Sequence, residues 1–83
     1  MEVPIVQVKR SIVIFKDFPG LGDRIKKARE SDARSLSQIC RESGVSRTYW
    51  HQIENEATLS PITEDIVRKI ENTLGVDLGV TFD

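Results

Sequence analysis

The sequence predicts a mainly α domain of four to five helices with a short β-strand near each end, and three observations carry that reading. Four stretches between residues 21 and 74 repeat apolar residues at helical spacing, and each is opened or closed by a residue suited to a helix end. The run Ser11 to Phe15 (SIVIF) is almost wholly apolar and rich in β-branched side chains, as in a strand buried on both faces. The last residues alternate strictly, Val76, Leu78, Val80 and Phe82 against Asp77, Gly79, Thr81 and Asp83, as in a half-buried strand.

Taken in order, residues 3–8 (VPIVQV) extend the first strand or form a separate edge piece, with Pro4 tolerated only at an edge or strand start. Phe18-Pro19-Gly20 breaks it. Residues 21–31 place Leu21, Ile25 and Ala28 on one stripe of a helix, flanked by Arg24, Lys26 and Lys27. A second helix opens at Ser35, where Ser35-x-x-Gln38 is a capping-box pattern ahead of Leu36, Ile39 and Cys40. Gly44 ends it in a tight turn that calls for a left-handed residue. Ser46 is the N-cap expected for a third helix. A fourth carries Ile62, Ile66, Val67, Ile70 and Leu74, starts near Ser60-Pro61 or Thr63, and closes at Gly75 with Val76 packing back. Residues 1–20 thus form an N-terminal strand and dimerisation segment, 21–76 a helical domain and 77–83 a C-terminal strand. The two terminal strands need partners, which each can find in the other or across a dimer.

Size and composition bound what such a domain does. At 83 residues the chain is near the lower limit for a core without staples. A hydrophobic fraction of 39% and a charged fraction of 30% describe a folded globular chain. The single cysteine, Cys40, allows neither an internal disulfide nor a metal-ligand cluster, so no metal or cofactor is expected and a reducing, cytoplasmic setting fits. No apolar run reaches membrane-spanning length, and MEVPIVQVKR lacks the basic-then-apolar order of a secretory signal, so no membrane partner is expected. Paired carboxylates, a nucleophile–base set and a phosphate loop are all missing, which argues against an enzyme and leaves no catalytic residue to name.

Charge is unevenly shared. Residues 21–54 carry seven basic and five acidic groups, whereas residues 55–83 carry two and six. The first part is slightly basic and the tail acidic, within a net charge of −1. A modest electrostatic footprint on one face fits this balance; a strong polyanion binder does not.

The stretch SGVSRTYWHQIEN, residues 43–55, concentrates the chemistry. On a helix starting after Ser46, Tyr49, Trp50 and Ile53 fall on one side and Arg47, Thr48, His51 and Gln52 on the other. Such a polar row is ordinarily a plain solvated face. Here it stands on the second of two helices joined by one glycine-centred turn, the arrangement in which that helix enters a major groove. His51 has no ligand cluster beside it, and Cys40 and Trp50 read as core residues.

In LGDRIKKARE, SLSQICRESGVSRTYWHQIE and TLGV, over about residues 21–78, the chain resembles the Cro/repressor-type (XRE) helix-turn-helix family. The resemblance implies a compact, lambda-repressor-like bundle that binds double-stranded DNA as a homodimer. It places base contacts on Ser46, Arg47, Thr48, His51 and Gln52, and backbone contacts on Arg34, Leu36, Ser37, Arg41, Tyr49 and Asn55. It further implies a partly buried ion pair between Arg29 and Glu54. Ile12, Ile14, Val80 and Phe82 are the expected dimer contacts, and a protein partner is the expectation if DNA affinity has been lost. The family commonly continues Glu-x-Gly and then a basic residue, whereas this chain has Glu54-Asn55-Glu56-Ala57. Asn55 is then expected as the left-handed cap, and Glu56 as a negative charge facing phosphate.

Overall fold

A computed structural model describes residues 5–11, 14–58 and 60–82. Among them lie strand β1 (Ile5–Ser11), strand β2 (Ile14–Pro19), helices α1 (Leu21–Glu30), α2 (Leu36–Ser43) and α3 (Arg47–Glu54), strand β3 (Ile62–Thr63) and helix α4 (Glu64–Leu74). Four helices with a three-stranded sheet make this less purely helical than the sequence predicts.

The sheet has the order β2-β1-β3. Strands β1 and β2 are antiparallel, with Val6 opposite Phe18 and Val8 opposite Lys16, and the register shifts between Lys9 and Ser11. Strand β3 joins β1 in parallel through Val8–Ile62 and Lys9–Thr63. Alternation explains the burial: Val6, Val8 and Phe18 face the core, while Ile5 on the opposite face is exposed.

Two sequence expectations are corrected here. The run SIVIF is not one strand buried on both faces. It spans the end of one hairpin strand and the start of the next, with Ile14 and Phe15 exposed. Its partner is the segment read as an extension of that strand or a separate edge piece, which in fact supplies the central strand. Ile62, read as part of the fourth helix, is a buried residue of β3, and Thr63 is the N-cap, its Oγ1 accepting from the Ile66 amide at 3.2 Å. Pro4 and Ile12 lie outside the described residues.

The C-terminal expectation is also corrected. Residues 76–82 form no strand, although Leu78 and Val80 are buried as the alternation requires. Side chains hold the segment in place of a ladder. Arg24 Nε donates to the Leu78 carbonyl at 3.1 Å, Arg68 Nη2 to the Val80 carbonyl at 2.8 Å, and the Leu78 amide to Glu71 Oε2 at 2.8 Å. Phe82 meets Phe18 edge to face, ring centres 6.0 Å apart. Val76, expected to pack back onto α4, is 37% exposed.

The core is one cluster. Leu21, Ile25, Ile39, Trp50, Ile53, Ile62 and Ile70 are each fully buried and come from every helix and β3, so the bundle and sheet share a single interior.

Candidate nucleic-acid interface

Helices α2 and α3 are fixed to each other by their own termini. Ser35 Oγ accepts from the Gln38 amide at 3.1 Å, the first half of the expected capping box. Gly44, at φ 76°, ends α2 with its amide donating to the Cys40 carbonyl at 2.9 Å. Buried Ser43 closes the turn, its Oγ donating to the Cys40 carbonyl and accepting from the Val45 amide. Ser46 Oγ then caps α3 by accepting from the Tyr49 amide at 3.1 Å. Cys40 packs inside this junction, and burial pushes its thiol up from the ordinary range, as expected for an inert core thiol.

The back of α3 is anchored. Trp50 and Ile53 are fully buried, and Tyr49 is half-buried against the core, where burial raises its phenol. Trp50 Nε1 donates to Glu54 Oε2, which also accepts from Arg29 Nε at 2.6 Å; Arg29 Nη2 reaches Glu54 Oε1 at 3.0 Å. The last turn of α3 is thereby tied to α1 through a carboxylate only 4% exposed.

The front is open. Ser46, Arg47, Thr48 and His51 are exposed and Gln52 is half-buried. Among the described residues, the side chains of Arg47, Thr48, His51 and Gln52 make no hydrogen bond or ion pair within the chain, whereas most arginines do. Arg10 pairs with Glu64, Arg24 with the Leu78 and Pro19 carbonyls, Arg29 with Glu54, Arg34 with Asp32, and Arg68 with Glu64 and Glu71. Arg41 and Arg47, on adjoining helices, are the arginines left without such a partner among the described residues. Unpaired guanidinium groups are the donors suited to guanine edges and phosphates.

The residues expected to touch the DNA backbone divide. Ser37, Arg41 and Asn55 are exposed, while Leu36 and Tyr49 are half-buried against the core. Arg34 is engaged elsewhere. Its guanidinium donates to Asp32 at 2.7 and 2.9 Å, to Glu42 at 3.3 Å and to the Thr73 carbonyl, clamping the α1–α2 loop onto the end of α4. Asp32 is held down at about 2 by that guanidinium. Of the expected dimer contacts, Ile14 is exposed; Val80 is 2% exposed inside the chain's own core, and Phe82 packs on Phe18. Val80 is thus buried and Phe82 half-buried within one chain.

Two features at the end of α3 escape sequence reasoning. Asn55 is not the left-handed cap, since its φ is −86°; Glu56 takes that conformation at φ 54°. The Glu56 carboxylate does not project outward. Its Oε1 accepts from the Gly22 amide at 3.1 Å, in the first turn of α1. The one available signal was Gly22 itself, since a glycine inside a helical pattern marks a close backbone approach.

A family model described as a helix-turn-helix domain matches residues 20–81, most of the chain, and leaves the β1–β2 hairpin outside the match. The comparison with curated proteins and that with solved structures each gave no match. Among the described residues no helix is long and apolar enough to cross a membrane. Among the described residues no group of three or more His, Cys, Asp or Glu is placed to hold a metal ion.

Proposed function

Because the chain belongs to the helix-turn-helix domain family, we propose that it is a sequence-specific, double-stranded DNA-binding transcriptional regulator of the Cro/repressor (XRE) type, cytoplasmic and dimeric on a palindromic operator. One observation carries the reading: the polar front of α3 is exposed and uncommitted while its aromatic back is locked in the core. Arg47 suits guanine O6 and N7 in a two-pronged contact, Gln52 adenine N6 and N7, and the Thr48 methyl a thymine methyl. His51 suits a base acceptor or a phosphate. Ser37, Arg41 and Asn55 are exposed and suit the sugar-phosphate backbone, which positions the helix without specifying sequence.

A two-fold dimer would set its recognition helices about 34 Å apart, one turn of DNA. Val80 is buried in the chain's own core and Phe82 packs half-buried against it, so the exposed Ile14 and its neighbour Phe15 on edge strand β2 are the residues we favour for the dimer contact. That same exposed pair favours a second reading, a protein-interaction module or antitoxin-like partner that keeps the fold and binds DNA weakly.

Selection from a randomised duplex pool at two salt concentrations separates the two. A regulator enriches a palindrome and weakens steeply with salt. An interaction module enriches nothing. Light scattering tests the dimer, and a strict monomer on the selected duplex would overturn both the two-fold interface and the palindrome.

A further inference from the structure

We infer that Glu56 is a positioning residue for the recognition helix: by bridging the end of α3 to the first turn of α1, it fixes the direction in which Arg47 to Gln52 face. The inference rests on the DNA-binding reading above. It reverses the expectation that this carboxylate opposes a phosphate.

Three observations meet at this junction. The first is the way α3 ends. The Glu56 amide donates to the Ile53 carbonyl at 3.1 Å and the Ala57 amide to the Gln52 carbonyl at 2.8 Å, the paired closure that needs a left-handed residue at its centre. Glycine normally fills that place. Here Glu56 does, at φ 54°, a conformation uncommon for any residue with a Cβ.

The second is the start of α1. Its N-cap, Gly20, has no side chain, so the first amides of the helix lack a capping group of their own. Glu56 Oε1 accepts from the Gly22 amide at 3.1 Å and sets a negative charge at the positive end of the helix.

The third is the closeness of the two backbones. A Cβ added to Gly22 would lie 2.5 Å from the Glu54 carbonyl oxygen and 2.6 Å from that of Ile53. The first turn of α1 therefore rests directly on the last turn of α3, and Glu56 latches that contact. Gln52, whose carbonyl the Ala57 amide engages, is one of the residues presented to the duplex. The strained backbone, the uncapped helix and the missing side chain at Gly22 are thus parts of one joint.

The test compares the full chain with E56Q, which keeps an acceptor oxygen, E56A, which removes it, and E56G, which also relieves the backbone. Each is measured for amide exchange at Gly22, amide shifts from Arg47 to Gln52, and affinity for the selected and a scrambled duplex at two salt concentrations. Positioning predicts that E56A and E56G speed Gly22 exchange and lower the preference for the selected duplex by about fivefold. E56Q should restore most of both. Equal tightening on both duplexes by E56Q and E56A would show a carboxylate that merely repels phosphate, and would overturn the inference. So would an E56A chain with faster Gly22 exchange but unchanged α3 shifts and selectivity, the mark of a plain cap. If the unaltered chain selects no duplex while the Gly22 and α3 amides respond as expected, the DNA reading fails and the joint stands.

Discussion

Arg29 and Glu54 form a two-pronged ion pair, 2.6 and 3.0 Å, whose carboxylate is 4% exposed and also accepts from the Trp50 indole. There helix α1, the aromatic anchor of α3 and the last turn of α3 converge. Removing one partner strands the other, and for a charge this enclosed the cost is about 3–5 kcal/mol. Glu54→Ala and Arg29→Ala should each lower stability in urea by roughly that amount. Replacing both with leucine should cost clearly less than the sum of the single changes, because no charge is left without a partner.

Arg34 and Arg41 should separate stability from binding. Arg41 has no side-chain partner among the described residues, so Arg41→Ala should weaken all duplexes alike and reduce the salt slope by about one, with little change in melting temperature. Arg34 clamps Asp32, Glu42 and Thr73. Arg34→Ala should instead lower the melting temperature and leave the slope unchanged. Salt titrations of DNA affinity beside thermal melts decide both.

Acid stability has two identifiable sources. The Arg10 and Arg68 guanidinium groups hold Glu64 down at about 2 against an ordinary 4.5, and Arg34 holds Asp32 at about 2 against 3.8. A carboxyl lowered by folding binds fewer protons than in the unfolded chain. Its stabilisation is therefore fully present above the ordinary value and is lost as pH falls toward 2. Urea midpoints should stay level from pH 7 to about 5 and then fall through that window. Glu64→Gln and Asp32→Asn should each make the acid fall shallower.

The tail residues 76–82 belong to the core and are not a free strand. Leu78→Ala should cost about 2–4 kcal/mol by opening a cavity, whereas Val76→Ala, at an exposed position, should change stability by less than about 0.5 kcal/mol. Equal, small effects would mean that the tail is displaced in solution.

The helices were legible because their ends carry chemistry: Ser35 and Ser46 cap with their hydroxyls, and Gly44 and Gly75 turn left-handed. The polar front of α3 was legible for a similar reason, since spacing alone separates Arg47, Thr48, His51 and Gln52 from Trp50 and Ile53. The hairpin was not. Nothing in SIVIF announces that one strand ends at Ser11 and another begins at Ile14, since a short β-branched run reads as one buried strand either way. Strict alternation in the tail reported burial correctly at Leu78 and Val80 but cannot tell a backbone ladder from the side chains of Arg24, Arg68 and Glu71. The bond from the Gly22 amide to Glu56 was not legible, because charge is visible in a sequence and direction is not; only the fold brings the two together.

The most direct test of the account is a base-by-base comparison of selected sites for the unaltered chain, Arg47→Ala and Gln52→Ala. Readout through the front of α3 predicts that each substitution costs about 1–3 kcal/mol and erases preference at its own base pair in both half-sites, leaving the other positions intact. A uniform loss on every sequence, with the same site selected throughout, would contradict it.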